Sequence, residues 1–229
     1  MWISHRGLRL GGAPENSKKA FDQALSAGFE TLETDLRLTK DGHIILTHDP
    51  NLKRLAQDSR PVSQCTRQEI ETLGRDFLFF DDFMSFYKDL KLVLDIKKET
   101  GLGVIERLDP WLRTGGFLEK TYCLFWDSLQ EAAFLKRYPR GRIFAGERAC
   151  LKAGLSALSG LGFGIKKNQI YAVPPRFGPF DLFQEKILNR YKTKGAQVIA
   201  YLPKTESEVK SAMNLPFDFI LTDGPRLHV

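Results

Sequence analysis

Short apolar runs recur along the whole chain, separated by amphipathic stretches, and this alternation restricts it to an α/β architecture with a parallel sheet. The runs cover residues 1–4, 31–38, 92–96, 122–125, 142–145, 169–173, 197–201 and 219–222. Helical periodicity falls between them, over residues 17–27, 102–112, 128–138, 151–158, 180–194 and 205–213. Eight strand units joined by helices imply a closed (β/α)8 TIM barrel, and 229 residues is an ordinary length for one. A single domain over residues 1–229 is therefore expected. After the second strand, Asp41-Gly42 is a turn signal leading into residues 44–47, a hairpin insertion. Residues 50–82 are the longest irregular stretch, with a short helix near 66–73, and are expected to fold over the site.

The polar residues of the first 49 positions form five clusters: His5-Arg6-Gly7, Glu15-Asn16-Ser17, Glu33 with Asp35, Lys40-Asp41-Gly42, and His48-Asp49. Glu33 and Asp35 lie two apart on a strand, so their side chains leave one face and one cation can touch both. Oxygen-only ligands suit Mg²⁺ or Ca²⁺ better than zinc. His5 and His48 each close an apolar run, where barrel enzymes carry catalytic groups, and imidazoles can serve as a base and acid pair. Arg6 offers a planar fork that fits phosphate. Each feature has a plainer reading: a solvated Glu-x-Asp face, a packed histidine, a structural Gly42 turn, and Asn16 or Ser17 as the cap of the first helix.

Taken together, HRG, APENS, ETD, TKDG and HD resemble the glycerophosphodiester phosphodiesterase family, whose usual string runs HRG, APENT, ELD, TKDG, HD. LVLDIK at residues 92–97 and FILTDGPRL at 219–227 resemble the family's IEIK and ITDYP segments. The resemblance implies a TIM barrel that hydrolyses glycerophosphodiesters to glycerol 3-phosphate and an alcohol. Glu33, Asp35 and Asp95 would hold one divalent cation, Mg²⁺ or Ca²⁺. Arg6 and Lys97 would hold the phosphoryl oxygens, Asn16 would touch substrate, and His5 and His48 would act as base and acid. Asp95 departs from the Glu usual there, retracting the carboxylate by one methylene. The sphingomyelinase D branch is similar in using Asp, so a lysophospholipase D-like or sphingomyelinase D-like activity on lysolipids is an alternative, as is a non-catalytic phosphate-binding barrel. Phe125-Trp126-Asp127 and Tyr201-Leu202-Pro203-Lys204 replace the family's SFD and WTVN. Trp126 and Tyr201 fit either an aromatic wall for a choline head group or ordinary packing.

Charge adds little about chemistry and something about partners. Thirty-four basic and 28 acidic side chains leave a net +6, concentrated between Lys136 and Lys152. That concentration fits transient contact with anionic lipid or a solvated basic face, while no nucleic-acid motif accompanies it. The expected partner is a small-molecule phosphodiester, with no nucleic acid; nothing in the sequence fixes the oligomeric state. No run of 18 apolar residues is present, and Met1 leads directly into Trp2-Ile3-Ser4-His5 without a signal-peptide core, so a cytoplasmic location is expected. Cys65, Cys123 and Cys150 have no metal-ligand spacing and read as reduced, packed thiols.

Overall fold

The computed structural model describes residues 1–160 and 162–224. They form two compact units, one of Met1–His5 with the chain from Ile143 onward, the other of Arg6–Arg142.

In the Arg6–Arg142 unit, the strands Thr31–Leu38, Lys91–Ile96 and Thr121–Phe125 pair in parallel, with Lys91–Ile96 in the middle. Ile44–Leu46 adds antiparallel to Thr31–Leu38, forming the expected hairpin around a turn in which Gly42 takes φ +80°. Thr31–Leu38 is buried at every position up to Arg37, so its polar side chains are enclosed along with its leucines. A strand covered on both faces is the ordinary condition of a parallel sheet.

The Lys18–Ser26 helix buries Ala20, Phe21 and Ala24. Phe21 meets Phe83 and Tyr87 edge-on, at ring separations of 5.0 and 5.7 Å, joining this helix to Phe80–Tyr87. Gly7 enters the helix side at φ +79°, and a Cβ there would lie 2.6 Å from the Ala20 carbonyl carbon, so no larger residue fits without moving backbone.

In the other unit, Trp2–His5, Phe219–Thr222, Gln197–Tyr201 and Ile170–Val173 pair in parallel in that order. The helices Glu147–Ser159, Glu185–Thr193 and Glu206–Asn214 follow the expected alternation. Tyr171 and Tyr191 pack 5.4 Å apart within a core that includes Val198, Ala200 and Ile220. The ITDYP-like segment is described only as far as Gly224; residues 225–227 lie outside the described residues.

Three local expectations differ. The helix read over 180–194 begins at Glu185, because Phe180–Asp181 instead pairs antiparallel with Arg176–Phe177 across the Gly178-Pro179 turn. The strand read over 142–145 is reduced to Arg142–Ile143, with a single bridge from Phe144 to Ile170. Residues 50–82 hold a strand pair, Asn51–Leu52 with Asp58–Pro61, and the start of the Phe80–Tyr87 helix. Leu52, Val62, Cys65, Ile70 and Phe79 give this stretch a small core of its own with Ile45, which a periodicity reading does not reveal.

Candidate active site

The parallel register sets Asp35 directly opposite Asp95, with Glu33 two residues earlier on the same strand face. All three are buried, and one oxygen of each lies within 4.8 Å of the others. They sit inside their strands rather than at the ends, as the apolar runs alone would have it.

Two cations answer this charge. Lys97, the residue after the Lys91–Ile96 strand, puts Nζ 2.6 Å from Asp35 Oδ1 and 2.7 Å from Asp95 Oδ2. Arg6 stands at φ +59°, its Nε 2.9 Å from Asp35 Oδ2 and its backbone N–H donating to Glu33 Oε2 at 3.0 Å. A non-glycine residue at positive φ is strained, and here that conformation points the backbone donor at a carboxylate.

Asn16 is not the helix cap. Its Nδ2 donates to Asp35 Oδ2 at 2.9 Å while its Oδ1 accepts from the Thr34 hydroxyl at 2.8 Å. Ser17 is the cap, its hydroxyl accepting from the Ala20 N–H.

The electrostatics divide the three carboxylates. Burial, together with the charges of Asp35 and Asp95, pushes Glu33 well above the usual range. Burial acts on Asp35 too, yet Lys97 and Arg6 outweigh it and hold its carboxyl low. Asp95 is raised by burial and by Asp35, with Lys97 opposing. Lys97 and Arg6 are both raised, their loss of solvent outweighed by the carboxylates around them. A crowded, buried, all-oxygen set with residual repulsion at Glu33 fits a hard divalent cation, and Glu33, Asp35 and Asp95 are the residues that would hold it.

A second network reaches His48. Its Nδ1 lies 2.9 Å from Asp49 Oδ1; Asp49 accepts from Arg54 Nε at 2.6 Å, and Arg54 also donates to Glu15 Oε1 at 2.6 Å. Burial raises Asp49, but Arg54 and His48 outweigh it and keep its carboxyl low, so an ionised carboxylate faces the Nδ1 side of the ring and orients it. Arg37 fixes the backbone of the same residue, donating to the His48 carbonyl from Nε and Nη2 at 3.0 and 2.6 Å. His5, at the end of Trp2–His5, pairs Nδ1 with Asp223 Oδ1 at 2.6 Å. Each histidine is thus oriented by a carboxylate.

Trp126, Arg54, Arg37 and Asp223 were not assigned these contacts from sequence. Trp126 is the most informative: its indole N–H donates to Asp95 Oδ1 at 2.6 Å, and its ring lies 5.7 Å from Lys97 Nζ. Asp223 had a signal, the TDG within the resemblance; Arg54 lies in the stretch that reads as irregular and had none. Lys40-Asp41-Gly42 is structural, Asp41 accepting from the Thr39 hydroxyl and from the Arg67 N–H.

Residues 5–107, which span both networks, match the glycerophosphoryl diester phosphodiesterase family. A glycerophosphodiester phosphodiesterase of Caldanaerobacter subterraneus is 24% identical, over 97% of this chain and 93% of its own length. One from Bacillus altitudinis is 34% identical, over 35% of this chain and 32% of its own. The crystal structure of the Agrobacterium tumefaciens glycerophosphodiester phosphodiesterase superposes with a TM-score of 0.77 at 19% identity, covering 98% of this chain and 96% of that one. A glycerophosphoryl diester phosphodiesterase domain from Mycobacterium tuberculosis gives 0.80 at 15% identity with the same coverage. These structures show the fold, the α/β barrel that the strand alternation implied. The chain thus matches the glycerophosphoryl diester phosphodiesterase family over residues 5–107, is similar to glycerophosphodiester phosphodiesterases along most of its length, and shares the fold of these solved structures.

Proposed function

We propose that this chain is a divalent-cation-dependent phosphodiesterase that hydrolyses glycerophosphodiesters to glycerol 3-phosphate and an alcohol, acting as one domain over residues 1–229. The observation that carries the reading is the buried carboxylate set of Glu33, Asp35 and Asp95, bracketed by Arg6 and Lys97. A phosphodiester anion repels nucleophiles and has a poor alkoxide leaving group, so its site must neutralise charge and move two protons.

Glu33, Asp35 and Asp95 would hold Mg²⁺ or Ca²⁺, which when bound supplies positive charge to the phosphoryl oxygens. Arg6 and Lys97 lie against the same carboxylates and would bind those oxygens, with Asn16 in the substrate-binding set through its hold on Asp35. His5 would take a proton from the attacking oxygen and His48 would give one to the departing alcohol. Support for the pair comes from the HRG and HD motifs and from the carboxylate partner on each imidazole. The substrate is a small phosphodiester, the chain acts from the cytoplasm, and transient contact with anionic lipid accompanies the reaction.

A substrate panel tests this. Glycerophosphocholine and glycerophosphoethanolamine should release glycerol 3-phosphate much faster than lysophosphatidylcholine or sphingomyelin releases choline. The reverse order would move the chain to a lysophospholipase D-like or sphingomyelinase D-like activity. No turnover of any would leave a phosphate-binding barrel.

A further inference from the structure

Between Arg148 and Lys167 the chain carries four cations, Arg148, Lys152, Lys166 and Lys167, and no acidic residue. On the Glu147–Ser159 helix, Arg148, Leu151, Lys152 and Leu155 are spaced at three and four residues, so they share one face. That face is turned to solvent: Leu151 is 46% and Leu155 52% exposed. The loop beyond the helix adds Phe163, 56% exposed, and folds back against it, since a Cβ on Gly164 would lie 3.0 Å from Lys152 Cγ.

Arg148 and Lys152 belong to the basic concentration read from sequence, Lys166 and Lys167 extend it, and other members of that concentration are already engaged. Arg137 is engaged by Asp109 and Arg142 by the Tyr122 hydroxyl. Among the described residues, by contrast, none of Arg148, Lys152, Lys166 and Lys167 forms an ion pair with a carboxylate. Three large apolar side chains held in water among four uncompensated cations make a surface with two unmet demands. An anionic lipid surface meets both, taking the cations at its headgroups and the apolar tips at the acyl boundary.

We infer that the Glu147–Ser159 helix and the following loop form a docking face for anionic lipid, with Leu151, Leu155 and Phe163 entering the interface and Arg148, Lys152, Lys166 and Lys167 binding headgroup phosphates. This deepens the lipid-contact part of the reading above and names the surface responsible. A second copy of the chain is a poorer occupant, because a symmetric contact would set the four cations against four more. Nucleic acid is poorer too, because Leu151 and Leu155 are aliphatic and Phe163 alone offers a stacking surface.

Co-sedimentation of the full chain with vesicles tests the inference. Wild type should bind phosphatidylcholine vesicles containing phosphatidylglycerol at least about ten-fold more tightly than pure phosphatidylcholine, and lose that preference at high salt. Replacing Leu151 and Leu155 together by Gln should weaken binding about ten-fold, and Lys166→Gln with Lys167→Gln should flatten the salt dependence. Both variants should hydrolyse water-soluble glycerophosphocholine as wild type does. Equal binding to both vesicle types, or an unaffected leucine variant, overturns the inference. So does a dimer in light scattering that the leucine variant dissociates, which would make the face a contact between copies. Vesicle binding by a chain that hydrolyses no glycerophosphodiester would uphold the docking face and remove the enzymatic reading.

Discussion

Asp95 has both carboxylate oxygens engaged, Oδ1 by the Trp126 indole and Oδ2 by the Lys97 ammonium, so its plane is fixed before any cation arrives. Such outer partners typically alter metal affinity by about 10- to 100-fold. Trp126→Phe keeps the ring and loses the N–H; it should weaken Mg²⁺ or Mn²⁺ binding about ten-fold in calorimetry while leaving Tm unchanged, and an unaltered affinity would dismiss the positioning role. His5→Ala and His48→Ala should each lower kcat at least ~10²-fold with circular dichroism unchanged, since each proton transfer is typically worth that much; near-native turnover in either would remove it from the mechanism. Glu33, Asp35 and the two histidines stand out in the sequence because their chemistry is local to short motifs. The contact of Trp126 with Asp95 does not, because it is set by sheet register: Asp95 pairs with Leu124 across neighbouring strands, which brings Trp126 alongside it. Asn16 shows the same limit, since a residue next to a helix start gives no sign that its amide turns to the adjacent strand.

At the scale of elements, Ser17 both accepts from the Ala20 N–H and donates to the Pro14 carbonyl, closing the turn that leads from the APENS motif into the first helix. Ser17→Ala should lower unfolding free energy by about 1 kcal/mol in urea titration; no change would mean that solvent replaces the cap. The Gly103–Leu112 and Ser128–Arg137 helices are tied at Asp109, which accepts from the Tyr138 hydroxyl, Arg113 and Arg137. Those donors, Tyr138 foremost, hold its carboxyl down to about 2, against about 3.9 for a free Asp. A depressed pKa stabilises the fold above the unfolded value and loses that contribution on acidification. Stability should therefore fall as pH drops from about 4 to about 2, and Asp109→Asn should flatten this part of the curve; an unchanged pH profile in the variant would exclude the tie. Helix positions were legible where apolar spacing met a cap, as at Thr205 before Glu206–Asn214. They failed at Phe180, where an apolar residue belongs to a two-residue strand pair and periodicity has too few positions to speak.

At the scale of the whole chain, the alternation of strands and helices was readable because the parallel strands are short apolar-rich runs, and the solved structures share that fold over 98% of this chain. Phosphodiester chemistry was readable only through the motif string, since a barrel by itself hosts many reactions. What remained hidden is the set of contacts made across strands and between loops, in which Arg37, Arg54 and Trp126 act on residues 11 to 39 positions away. The central claim is that Glu33, Asp35 and Asp95 form a cation site on which phosphodiester hydrolysis depends. Its most direct test is glycerophosphocholine turnover followed by ³¹P NMR after chelation and then during titration with Mg²⁺ or Ca²⁺. Glycerol 3-phosphate production should stop on chelation and return as one of the cations is added, whereas turnover that persists in the chelated protein would contradict the account.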